Sequence, residues 1–284
     1  MKTTMKKYEV LRKPLIITLY DYKTFFDSES CIDVLQEAYK AGIRGKIYRL
    51  FYKLNWEKSA FMVIGSRKQR EDILSDMEKS PLMLCNKQMK HADEYLYLGA
   101  VISESGLGDS AALSVKRKAA KVKHLSYQIR AVLEDTRNNT PGSLCTALQI
   151  WELAVVPYLY FGAECWIDLK ENTLKILTNL ELSFYRIVLR TPKSCPTAGI
   201  FWSVGACTPE NRILKAKLLF YYHLSHLDRE SLASRIFREE RKSGIGGFIS
   251  ECEEEMSKLG ISEDEVGYLN KGQFKRRTNS LIEE

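Results

Sequence analysis

Apolar positions in the first hundred residues fall in short clusters, whereas from about Gly108 onward they recur at three- and four-residue steps almost without a break. The first pattern predicts strands mixed with short helices, and the second predicts helices that turn one face inward. Leu15 to Tyr20 is a continuous, β-branched-rich run between Pro14 and Asp21, and Ala60 to Ile64 is another, so both are expected to be buried strands. Between them Ile32, Leu35, Tyr39, Ile43, Ile47, Leu50, Phe51 and Leu54 keep helical spacing, broken near Gly42 and Gly45, which predicts two short helices. A short amphipathic helix is expected around Ile73 to Met77. Tyr95 to Ile102 alternates weakly and ends at Ser105-Gly106, as a hairpin strand does.

Between Ser110 and Leu133 the apolar set Leu113, Val115, Ala119, Val122, Leu125, Ile129 and Val132 shares one helical face. Lys116, Arg117, Lys118, Lys121, Lys123 and Arg130 fall largely off that face, so the helix is expected to be strongly basic outside. Beyond Pro141, helices are predicted at Leu144 to Val156, Glu171 to Leu189, Pro209 to Leu227, Ser231 to Arg241 and Phe248 to Leu259. Pro157, Pro192, Pro196 and the Gly244 to Gly247 stretch punctuate them. The expected fold class is α+β, mostly α: a small sheet, a long basic helix and a helical bundle. Boundaries are placed at 1–107, 108–140 and 141–262, with 263–284 a polar tail carrying Lys275-Arg276-Arg277 and expected to fray.

With 45% hydrophobic and 28% charged residues, the composition excludes disordered, collagen-like and fibrous classes. The formal charge of +7 permits an anionic partner without requiring one, so the distribution of charge decides. Lys116 to Lys123 contains no acid, which favours contact with a nucleic-acid backbone over a merely solvated face. No apolar run is seen to approach the roughly 20 residues of a membrane span, so no membrane partner is expected. The basic opening, Met1 to Pro14, is followed by too short an apolar stretch for a signal peptide. Seven scattered cysteines read as reduced thiols of an intracellular protein, cytoplasmic or nuclear. Cys195, Cys207, His223 and His226 are the only plausible zinc grouping, and their spacing lacks the close ligand pairs of such sites. Trp151 and Trp166 are expected as buried anchors, and Phe220-Tyr221-Tyr222 as packed core.

The most informative segment is Leu19 to Ser28, in which a buried strand delivers Asp21 to its end and an aromatic, Phe26, follows five residues later. A carboxylate at a rigid strand end is what Mg²⁺-dependent phosphoryl transfer requires, although Asp21 could equally end a strand while Asp27 or Ser28 caps the next helix. This segment resembles the first polymerase motif of non-LTR (LINE-type) retrotransposon reverse transcriptases. Asn55-Trp56-Glu57-Lys58-Ser59 with the apolar run after it resembles a later palm motif of that family. Tyr95-Leu96-Tyr97-Leu98-Gly99, followed by Val101, Ile102 and Gly106-Leu107, resembles its primer grip. The basic helix, Leu148 to Glu152, Ala163 to Trp166 and Ser194-Cys195-Pro196 through Leu219 resemble the thumb and the helical region downstream.

The resemblance implies a partial palm followed by a helical thumb. It implies roles for individual residues: Asp21 as a Mg²⁺ ligand, Tyr22 and Phe26 at the incoming nucleotide, and Lys58 near the departing pyrophosphate. Tyr95, Leu98 and Gly99 would support the primer, and Lys116, Arg117, Lys118, Lys121, Lys123 and Arg130 would run along an RNA or RNA–DNA duplex. One departure governs the rest. The family's acidic doublet is missing, the helix ending Tyr48 to Leu54 runs directly into Asn55, and no Asp-Asp pair occurs anywhere. A two-metal site needs carboxylates from two strands, so polymerase activity is not expected. Loss of the central palm strands would also leave Leu15 to Tyr20 and Ala60 to Ile64 with open edges. Two alternatives stand beside a nucleic-acid-binding remnant: a helical interaction or structural protein, and a Mg²⁺-dependent nuclease built on Asp21.

Overall fold

A computed structural model describes residues 14–19, 59–84, 87–97, 99–135, 141–244 and 246–283. The fold is α+β and mostly α, in two compact units that divide between Tyr95 and Leu96.

In the first unit β1 (Leu15–Leu19) pairs antiparallel with β2 (Ala60–Ile64), from Leu15 opposite Ile64 to Leu19 opposite Ala60. The two runs expected to have lost their neighbours pair with each other, so β2 has no open edge, while β1 remains an edge strand among the described residues. The expectation that β1 is buried is corrected, since Leu19 alone of its residues is buried and Ile16 is exposed. After β2 comes α1 (Arg67–Lys79), started by Ser66, whose side chain accepts from the Gln69 N–H while the Gln69 side chain reaches back. β3 (Met83–Leu84) and β4 (Lys87–Gln88) form a small ribbon, and β5 (Lys90–His91) then lies parallel to β2. β2 is thus the central strand, buried at every position, as its unbroken apolar sequence requires. Phe61, Val63 and Met89 make a small core beneath Ile73, Leu74 and Met77 of α1.

β6 (Glu94–Tyr97) and β7 (Ala100–Ser103) form a hairpin, and the division between the units falls within β6. α2 (Leu107–Asp135) follows. Buried serines on its first two turns bind β7: the Val101 N–H donates to Ser114 Oγ and the Ser103 N–H to Ser110 Oγ, each at 3.0 Å. α3 (Pro141–Ile150) continues through a π turn (Trp151–Val155) into α4 (Val156–Leu159). Pro157 has no N–H to give and its ring crowds the Leu153 carbonyl, so the ladder widens and the Val156 N–H reaches back five residues to the Trp151 carbonyl. The run Leu144–Cys165 is 22 residues long with a mean hydropathy of 1.3, long and apolar enough by composition to cross a membrane. That corrects the expectation that no stretch reaches this length. One face of the run, Trp151, Val155, Leu159 and Ala163, is buried in the protein's own core.

The remaining helices are α5 (Glu171–Leu189), α6 (Thr197–Val204), α7 (Pro209–Ser225), α8 (Leu232–Ser243), α9 (Phe248–Lys258), α10 (Glu263–Tyr268) and α11 (Lys271–Glu283). Side-chain caps set several starts: Thr208 ahead of Pro209, Ser231 ahead of α8, and Ser262 with Glu265 in a capping box. Trp151 stacks on Phe184 with centroids 4.0 Å apart, and Trp166 is buried nearby in the same cluster. Ala111, Val115, Val122 and Ile129 of α2 belong to that cluster too, so the basic helix shares its core with the helices after it. The polar tail is a correction. It forms two docked helices, with Phe274 fully buried and stacked on Tyr222 of α7 at 4.8 Å. Further bonds run from Asn211 Nδ2 to the Ile282 carbonyl and from Lys215 Nζ to Glu283.

A carboxylate also sits inside this core. Glu181 of α5 has no solvent exposure and accepts from the hydroxyls of Tyr160 and Tyr185, while Arg212 Nε of α7 lies 3.5 Å from its Oε2. Arg212 Nη1 also donates to Glu152 of the π turn at 2.9 Å. Burial pushes the Glu181 carboxyl up, and the Arg212 charge opposes that shift. Burial and the neighbouring carboxylate likewise push the Tyr160 hydroxyl up, so it stays a donor.

Candidate nucleic-acid interface

The outward face of α2 carries the cations that the sequence singles out. Lys116, Arg117, Lys121, Lys123 and Arg130 are exposed, and no acid stands between Asp109 and Glu134 on this helix. Lys116 and Lys123 make no ion pair among the described residues, and Asp109, at the first turn, is held by Lys170 Nζ. From Lys116 to Arg130 the face runs about 21 Å at helical rise, the axial rise of roughly six phosphates on one strand. Steps of seven, four and three residues put Lys116, Lys123, Tyr127 and Arg130 in one stripe. Tyr127 is 61% exposed, and His124 is exposed beside the stripe.

Lys118 departs from the expectation. It is 7% exposed and donates to the Phe161 carbonyl at 2.9 Å and the Leu159 carbonyl at 3.4 Å. These are carbonyls at and just past the C-terminal end of α4, where helical partners run out, and an ammonium satisfies them. Lys118 is therefore a capping residue of the interior and not part of the outer face.

The same contact joins α2 to the hairpin. Lys118 Nζ lies 5.5 Å from the centroid of the Phe161 ring, and Lys121 Nζ lies 4.8 Å from that of Tyr158, within cation–π range. Phe161 covers Gly99, where a Cβ would come within 3.2 Å of its ring. Gly99 has φ +81°, so the turn there requires glycine on backbone grounds as well. The structure thus brings together Gly99 and Lys121, expected at the site, with Tyr158 and Phe161, which the sequence did not single out. Tyr95 stands half-buried on β6 and belongs to the first unit. Asp21, Tyr22, Phe26, Lys58 and Leu98 lie outside the described residues, as do the two helices expected between Cys31 and Leu54.

Two members of the suggested zinc grouping, Cys207 and His226, have other partners. Cys207 Sγ is 3.0 Å from Lys215 Nζ, and His226 Nδ1 faces its own helix at the Tyr222 carbonyl, 2.9 Å away. No protein-family model, curated protein or solved structure matches this chain.

Proposed function

We propose that this chain is a catalytically silent remnant of a LINE-type reverse transcriptase, whose remaining chemistry is intracellular binding of RNA or an RNA–DNA duplex along the outer face of α2. The observation that carries this reading is an acid-free helical face with five exposed cations over about 21 Å. Such a face releases condensed counterions from a polyanion, an entropic gain that depends on salt and not on sequence. The order of the palm-like, primer-grip-like and thumb-like segments supports the family origin. The one carboxylate expected to hold Mg²⁺, Asp21, lacks the acidic doublet that would complete a two-metal site, and no catalytic step is assigned to the chain.

The test is fluorescence anisotropy of a labelled RNA–DNA duplex over a salt series, with a variant carrying Gln at Lys116, Arg117, Lys121 and Lys123 and leaving Lys118 intact. Five engaged cations give a log K against log salt slope of about −4, and the variant's slope falls to about −1. Weak, salt-insensitive binding, or a variant that binds like the parent, overturns the reading. One observation favours the alternative of a helical interaction protein. Ile150, Leu153 and Phe161 are exposed along the outer side of Leu144–Cys165, and Trp202 of α6 is 85% exposed.

A further inference from the structure

Away from α2, helices α7, α8 and α9 enclose an open cavity of about 180 Å³. Three phenylalanines wall it, Phe220, Phe237 and Phe248, with Phe220 and Phe248 edge to face at 5.5 Å. Ala233 and Ile236 of α8, both exposed, also line it. An apolar cavity of about 150 Å³ suffices for a benzene ring, so this one admits a ring with a short substituent.

The wall contains one charged group, the Glu240 carboxylate. Its Oε1 takes only a long bond from the Ile249 N–H, 3.4 Å, and it forms no ion pair among the described residues. A carboxylate in a wall otherwise made of apolar and aromatic side chains discriminates by charge: it attracts a cation, while the apolar wall takes the carbon body attached to it. A neutral hydrocarbon leaves the carboxylate unanswered, and an anion is repelled.

The geometry points to a binding site for a small arylalkyl amine, its ring among the three phenylalanines and its ammonium on Glu240. This site is separate from the basic helix and stands whether or not that helix binds nucleic acid.

Ligand-observed NMR titration of the full chain with benzylamine, and with benzyl alcohol as its neutral counterpart, tests the assignment. Benzylamine is expected to bind with a Kd of about 1 mM, roughly tenfold more tightly than the alcohol. Glu240→Gln keeps an acceptor for Ile249 and abolishes the preference for the amine. Ala233→Leu, which grows into the cavity from an exposed position, abolishes binding of both probes while the far-UV melt is retained. If that variant fails to fold, Ile236→Trp closes the cavity from the same helix. No saturation by about 10 mM, equal affinity for the two probes, a preference that survives Glu240→Gln, or binding that survives the filled cavity overturns the proposal.

Discussion

Replacing Arg212 by methionine removes the only cation that faces Glu181 among the described residues, while keeping most of the aliphatic bulk. At 3.5 Å and an effective dielectric near 20, the attraction lost while the carboxyl is ionised is about 5 kcal/mol, and one-sided breaking of a buried pair costs about 3–5 kcal/mol. The sign of the pH dependence follows from burial. A carboxyl whose pKa is raised in the folded state keeps a proton there that the unfolded chain releases above about pH 4.3. Stability is therefore lost as pH rises towards the folded pKa, with a slope of at most about 1.4 kcal/mol per pH unit. Without Arg212 the carboxyl is raised further, so the variant's deficit is larger at pH 8 than at pH 5. Urea melts followed by far-UV circular dichroism at both pH values measure this, and Arg212→Met with Glu181→Gln serves as the variant that cannot ionise. A deficit below about 1 kcal/mol at pH 8, or one equal at both pH values, refutes the reasoning.

Two further outcomes test the placement of residues where the structure and the sequence pattern part. Lys118→Met strips the cap from the Leu159 and Phe161 carbonyls and lowers stability by about 1–3 kcal/mol, whereas Lys123→Met on the outer face stays within about 0.5 kcal/mol; equal urea midpoints for the two would place Lys118 outside. Phe274→Ala costs about 3–5 kcal/mol and exposes α11 to limited proteolysis ahead of α5, and an unchanged cleavage pattern would mean the terminal helices are not docked.

What the sequence made legible follows from how each signal arises. Ala60–Ile64 and Glu171–Leu189 are found with the predicted bounds, because one is a run too apolar to face water and the other an uninterrupted amphipathic repeat. Composition hides the docking of the tail, because its inward residues are few and scattered through a polar stretch: Val266 in α10, and Phe274 and Thr278, one helical turn apart, in α11. The strands β3, β4 and β5 have two residues each, too few for any period to register. Lys118 was legible in principle. It stands three residues after Val115 and four before Val122, both fully buried, so its position on the wheel is inward whatever its charge suggests. Tyr158 and Phe161 were not legible, since their pairing with Lys121 and Lys118 spans dozens of residues and depends on a π turn between the helices.

The pairing of β1 with β2 has a kinetic side. Its partners stand about 40 residues apart even at the near end, Leu19 with Ala60, and bringing such distant segments together costs roughly 3 kcal/mol of chain entropy before any ladder bond compensates. In the second unit many neighbours in space are also neighbours in sequence, as α2 with β7 or α3 with the π turn, and such contacts form early, ahead of the distant packing of α2 on α5 and of α7 on α11. Refolding from denaturant should accordingly be led by the helical unit. The three-stranded sheet closes last, and until it does β2, the most apolar strand among the described residues, is the surface most exposed to association with another copy.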